Sequence, residues 1–181
     1  MPIVPNRIYT EADLDTIFRA CEFRPTDFGK RRPAHGFSRH IGITNAGMMQ
    51  RASKVRRDIV AITAFPDNAS ACLAGAMVLN SPVGQAALNE LAGYKAVRAE
   101  ITSETLRPVT VRYVTASNQA VKTMLCHWFM MIVDRNAERP HGIHLQSLFG
   151  LIDPDAETQA IITDRYNGKY LLTGVTHPAG H

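Results

Sequence analysis

At 181 residues with 45% hydrophobic content, the chain has the length of one domain and enough apolar side chains for a proper core. No apolar run approaches the roughly 18–20 residues that cross a bilayer, so no membrane-spanning segment is expected. The opening MPIVPNRIYTEADLD lacks the basic-then-apolar layout of a cleaved signal; export as part of a larger protein stays open. Cys21, Cys72 and Cys126 are odd in number, far apart and without a C-x-x-C pair. They read as buried free thiols, against a disulfide framework or a structural zinc site.

The net charge is only +4, but it is unevenly spread. Between Cys21 and Ile59 lie Arg24, Lys30, Arg31, Arg32, Arg39, Arg51, Lys54, Arg56 and Arg57, opposed only by Glu22, Asp27 and Asp58. Such an excess concentrates phosphates near a surface, although a basic run alone is equally a solubilising face. His35 and His40 lie inside it.

In chain order, Thr10 is a candidate N-cap for a helix to Cys21, with Glu11 and Asp13 in its first turn and Leu14, Ile17 and Phe18 at helical spacing. FRPTDFGKRRP reads as a loop. A second helix is expected from about Phe37, broken near Gly42–Thr44, where Thr44 caps a fresh start with Met48, Met49 and Ala52 as its apolar stripe. A short extended piece to Phe65 precedes a helix capped by Asp67 or Asn68 and ending near Leu79. SPVGQAALNELAG supplies another helix, with Ser81 as cap, Pro82 at its first position and Gly93 as stop.

From Tyr94 the texture turns to strands: YKAVRAEIT, PVTVRYVTA, VKTMLCHWFMMIVD, TQAIITDRY and KYLLTGVT. Asn167-Gly168 signals a hairpin between the last two, while Pro140–Gly142 and Asp153–Asp155 read as surface loops. His127 and Trp128, in the most apolar of these stretches, read as core side chains. Helices followed by strands mean an α+β fold with an antiparallel sheet from the C-terminal half. The expected organisation is a single domain over residues 1–181: an N-terminal helical appendage (1–32), a helical part (33–93) and a sheet part (94–181).

Several chemistries lack their motifs. There is no Walker loop, no G-x-G-x-x-G, no H-E-x-x-H and no G-x-S-x-G. The cluster Asp153, Asp155 and Glu157 reads as a loop, and Pro140 and Gly142 place His141 and His144 in another, so neither metal nor cofactor is expected. Histidine, arginine, hydroxyls and a basic stretch remain, which are the ingredients of metal-independent RNA cleavage. A neutral imidazole can take the proton of a ribose 2′-hydroxyl, and a guanidinium can stabilise charge on the phosphate.

The run H-x(4)-H-I-G-[…]-M-M-Q-R, formed by His35, His40, Ile41, Gly42, Met48, Met49 and Arg51, resembles the opening of the bacterial RNase A-like toxin domain. That domain is found at the C-termini of contact-dependent growth-inhibition proteins and related polymorphic toxins. AITAFPDNASACLAGAMVLN, with Phe65 and Asp67, looks like that family's short extended segment and following helix. GKYLLTGVTHP is similar to its last strand. The resemblance spans about Pro33–Pro178, and its first block is the specific one.

It implies an RNase A-like arrangement, a twisted antiparallel sheet with a central cleft. His40 would be the principal catalytic histidine, Arg51 the phosphate stabiliser and Thr173 an orienting group, with His35 as a further candidate. Where the family commonly carries Tyr two residues after the Thr, this chain has Val175. His177 is then a candidate acid and Tyr170 a candidate neighbour. Lys54, Arg56, Arg57 and Arg39 would bind RNA. The resemblance further implies a cognate immunity protein as partner and delivery as an effector into the target-cell cytoplasm; the oligomeric state stays open, with a monomer favoured. A non-catalytic RNA- or DNA-binding module, or a polymorphic toxin with a different target such as an ADP-ribosyl transferase, stays open at this point.

Overall fold

The structure is a computed structural model, and it describes residues 1–21, 40–54, 61–115 and 120–152. Among these are four α-helices, α1 (Glu11–Cys21), α2 (Asn45–Ala52), α3 (Asn68–Asn80) and α4 (Pro82–Ala92). Four strands accompany them, β1 (Ile62–Ala64), β2 (Arg98–Val114), β3 (Lys122–Arg135) and β4 (Ile143–Gly150). The strands form one antiparallel sheet in the order β1-β2-β3-β4, an α+β architecture. No single helix among the described residues is long and apolar enough to cross a membrane.

Local chemistry fixes the helix starts. Thr10 and Asp13 form a reciprocal capping box: the Asp13 amide donates to Thr10 Oγ1 (3.2 Å) and the Thr10 amide to Asp13 Oδ2 (2.9 Å). Thr44 caps α2 by accepting from the Gly47 amide, Asp67 caps α3 through Ser70, and Ser81 caps α4 through Gly84. These caps and Pro82 fall where the sequence places them.

Helices α1, α3 and α4 lie on one face of the sheet and share its core. Leu14, Ile17, Leu88, Ile101, Phe129 and Leu148 all have 0% exposure, and each such burial contributes roughly 1.5–3 kcal/mol. Helix α1, read from sequence as part of an appendage, thus belongs to the central core. All three cysteines are buried free thiols. Burial pushes Cys72 up to about 11 and Cys126 up to about 12, which makes them inert packing groups.

The strands differ in detail from the sequence expectation. YKAVRAEIT and PVTVRYVTA are not two strands but one, β2, whose pairing with β3 shifts between Glu104 and Val109. The bulge bends the strand at Thr105–Pro108 and leaves Leu106 fully exposed. The sheet also takes β1 from the helical half of the chain, pairing Ile62 with Val114 and Ala64 with Arg112. Trp128 is buried as expected, whereas His127 is exposed; strand alternation puts these neighbours on opposite sides.

Strand β4 has no counterpart in the sequence reading. Its pairing with β3 shifts between Ile132 and Val133, so that Gln146 is the extra residue. The bulge lets Ile143, Leu145 and Leu148 all enter the helix-side core, while Ser147 and Phe149 share the other face. Apolar residues at 143, 145 and 148 match no uniform period of two, and this hid the strand. The Pro140–Gly142 turn joins β3 to β4, with Gly142 at φ +74°, where a Cβ would lie 2.6 Å from the Ile3 amide nitrogen.

Although β1 and β4 stand at opposite ends of the strand order, Thr63 Oγ1 donates to the Gly150 carbonyl at 2.9 Å. The sheet therefore curls until its two edges meet along a seam.

Candidate functional site

His40 sits in that seam, with 7% of its surface exposed. Its placement begins with the backbone. The Phe65 amide donates to the His40 carbonyl at 2.6 Å, and the His40 ring reaches the Thr63 carbonyl through Nδ1 at 3.3 Å. In a strand, residues two apart present their N–H and C=O groups on the same side. Thr63 and Phe65 thus offer to His40 the edge of β1 that β2 does not use, and the histidine covers it with one main-chain and one side-chain contact.

On the other side of the ring, Ser147 Oγ on β4 lies 3.2 Å from Nε2. Phe149, two residues on, stacks against the imidazole with a centroid distance of 5.7 Å and an interplanar angle of 23°. The partners define the ring's chemistry. A carbonyl can only accept, so Nδ1 carries the proton; in the neutral ring Nε2 is then an acceptor, and the Ser147 hydroxyl donates to it. If the ring gains a proton, Nε2–H donates and the hydroxyl rotates to accept. Thr63 serves as partner in both states.

Arg51 lies in the last turn of α2, where a cation also complements the helix dipole. Met48 and Ala52 of that helix pack with Ile62, Ala64 and Val114 in a small separate cluster. Helix α2 and His40 are therefore both mounted on β1, the helix on its apolar side chains and the histidine on its free edge. Met49, which the sequence assigns to the same apolar stripe, is 39% exposed.

Arg112 binds this assembly together, and the sequence reading missed it. Its guanidinium donates to the carbonyls of Ile43 (2.9 Å), Phe65 (3.1 Å) and Ile41 (3.4 Å) through Nη2, to Phe65 again through Nε (3.3 Å), and to Asn45 Oδ1 through Nη1 (3.0 Å). It so links the residue after His40, the residue that holds the His40 carbonyl, and the first residue of α2. An arginine at an alternating strand position carries no sequence signal for this task. Ser147 was missed with its strand.

Of the other residues proposed from sequence, Lys54 is exposed just beyond α2. His35, Arg39, Arg56, Arg57, Tyr170, Thr173 and His177 lie outside the described residues, as do the hairpin at Asn167-Gly168, its flanking strands, the loop read in FRPTDFGKRRP and the one at Asp153–Asp155. His141 has a carboxylate partner that the sequence did not place beside it. His141 Nε2 contacts Asp13 Oδ1 at 3.1 Å, and its ring meets Tyr9 edge-on. Among the described residues, no three His, Cys, Asp or Glu side chains come together as metal ligands.

No family model and no curated protein matches the sequence. Among solved structures, one chain of the crystal structure of a CdiA-CT/CdiI complex from Y. kristensenii 33638 is similar in fold. The TM-score is 0.50 at 20% sequence identity, with 64% of this chain and 97% of that chain covered.

Proposed function

We propose that the chain is a metal-independent ribonuclease toxin, delivered as an effector, that cleaves RNA in the cytoplasm of a target bacterium and is neutralised in its producer by a cognate immunity protein. The observation that carries the reading is the His40 geometry. A buried imidazole, proton fixed on Nδ1 by Thr63, directs a basic lone pair on Nε2 toward a hydroxyl group. The fold likeness to a chain of a CdiA-CT/CdiI complex, and the His-Arg motif in the most basic stretch of the sequence, support the toxin context and the phosphate-bearing substrate.

In this reading His40 Nε2 takes the proton of a ribose 2′-hydroxyl, and the oxygen attacks the adjacent phosphorus. The bond to the 5′-oxygen breaks, and that oxygen leaves with a proton from a general acid. The products are a 2′,3′-cyclic phosphate and a 5′-hydroxyl. Arg51 stabilises charge on the non-bridging oxygens, and Lys54 with its basic neighbours concentrates the polyanion. DNA lacks the nucleophile and is spared.

Incubation with total RNA in EDTA should yield 2′,3′-cyclic phosphate ends. His40→Ala should lower the rate by at least about 100-fold, and Arg51→Ala by about 100- to 1,000-fold, with both variants folded. Undiminished cleavage by the His40 variant removes the mechanism. Salt-sensitive RNA binding without cleavage makes the chain a binding module instead.

A further inference from the structure

The Nε2 side of His40 is occupied within the protein itself. Ser147 Oγ lies 3.2 Å from it, the hydroxyl is 96% removed from solvent with its residue, and the ring's opposite nitrogen is held by the Thr63 carbonyl. An imidazole nitrogen has one lone pair, lying in the ring plane, so a hydroxyl that is to lose its proton there must take the direction Ser147 now uses. We infer that Ser147 is the positioning residue of His40: with the proton fixed on Nδ1 by the Thr63 carbonyl, its hydroxyl orients the ring and keeps the Nε2 lone pair aligned until a substrate hydroxyl replaces it. The inference rests on the ribonuclease reading only for the identity of that incoming hydroxyl.

The construction explains the bulge in β4. Without the extra residue at Gln146, a strand carrying Leu145 on the helix side would place Ser147 and Phe149 there too. With it, Leu148 fills the core while Ser147 and Phe149 turn to the imidazole, one in line with its lone pair and one on its ring face. A serine hydroxyl also suits a group that changes protonation, since it donates to the neutral ring and accepts from the charged one. Thr63 is fixed independently, because its own hydroxyl is tied to the Gly150 carbonyl across the seam. The two holds on the ring therefore come from the two sheet edges.

The test compares Ser147→Thr with Ser147→Val. The two side chains have the same shape and both suit a strand, so they differ in the hydroxyl alone. Nitrogen-15 NMR of the His40 ring in the RNA-free protein reads the tautomer directly. All three proteins should show protonated Nδ1, because Thr63 is unchanged, but the unprotonated Nε2 should resonate upfield as a hydrogen-bonded acceptor in the wild type and Ser147→Thr, and downfield as a free lone pair in Ser147→Val. On RNA, Ser147→Val should lose about tenfold in kcat, the scale of one neutral hydrogen bond, with KM no higher than the wild type because the competing donor is gone.

Protonated Nε2 in the wild type overturns the inference, and this holds even if neither variant folds. Indistinguishable Thr and Val variants overturn it too, as does covalent labelling of Ser147 by a fluorophosphonate, which would make the serine a nucleophile. The NMR arm needs no activity. A protein with the expected nitrogen signals that leaves RNA intact therefore refutes the ribonuclease reading and leaves the Ser147 inference standing.

Discussion

On the helix-covered face of the sheet, order comes from apolar area: Leu14, Ile17, Leu88 and Phe129 are fully enclosed, and Phe65 stacks on Phe129 at 5.8 Å. At the seam, order comes from backbone carbonyls. Four of Arg112's five contacts, the Nδ1 hold on His40 and the Thr63–Gly150 bridge all end on main-chain oxygens. The difference is one of tolerance. An apolar core accepts many shapes of similar volume, whereas a carbonyl accepts only from a donor at the right place. A ring that must present one nitrogen to a hydroxyl needs the second kind of support.

The largest effects belong to the apolar side. Phe129→Ala should cost about 3–5 kcal/mol, read as a shift of the denaturant midpoint. Gly84→Ala tests the α3–α4 corner, because the new Cβ would stand 2.1 Å from the Val78 carbonyl oxygen and 2.7 Å from that of Leu79; a stability within 1 kcal/mol of wild type would show that the corner opens easily. At the seam, Arg112→Ala should cost about 2 kcal/mol, since hydrogen bonds to a charged donor are worth more than neutral ones. Hydrogen exchange should then rise at the Phe65 amide before it rises at Phe129. Simultaneous exchange would erase the distinction between seam and core.

A smaller effect comes from pH at the β3–β4 turn. Burial, seconded by the Arg7 charge, holds His141 below the usual histidine range, against a weaker opposing pull from Asp13. Burial raises Asp13, but the hydrogen bonds from Thr10 and Arg7 outweigh it, and its carboxyl lies below the usual range. In both cases the unfolded chain binds a proton more readily than the folded one. Stability therefore falls as pH falls: first below the ordinary histidine value near 6.5, and again below the ordinary aspartate value near 3.8. His141→Asn keeps a residue that tolerates the observed φ of +54° and should remove the first step from a pH series of thermal melts while leaving the second. The smallest effect is expected at Lys54, where exposed Lys54→Ala should change stability by less than about 0.5 kcal/mol and lower the salt dependence of RNA binding by about one unit of slope.

Elements whose cause is local were legible in the chain. Thr10, Thr44, Asp67, Ser81 and Pro82 announce helix starts because a cap bonds to amides two or three residues away. His40 and Arg51 stood out because unusual residue types share a basic stretch, and the α+β class followed from the order of periodicities. Sequence could not show that the two β segments around Glu104–Val109 are one bent strand, or that a three-residue strand closes against the far edge of the sheet. Nor could it show that Ser147 and Arg112 serve the histidine. The closure of the sheet and the roles of Ser147 and Arg112 depend on contacts between residues 47 to 107 positions apart along the chain, and a hydrogen bond at that separation leaves no periodic trace. The order of residues along the chain is enough to say which local segments form and which imidazole stands out. Folding assigns the proton between its two nitrogens, because the carbonyl on one sheet edge can only accept, and the hydroxyl on the other edge then faces the bare nitrogen.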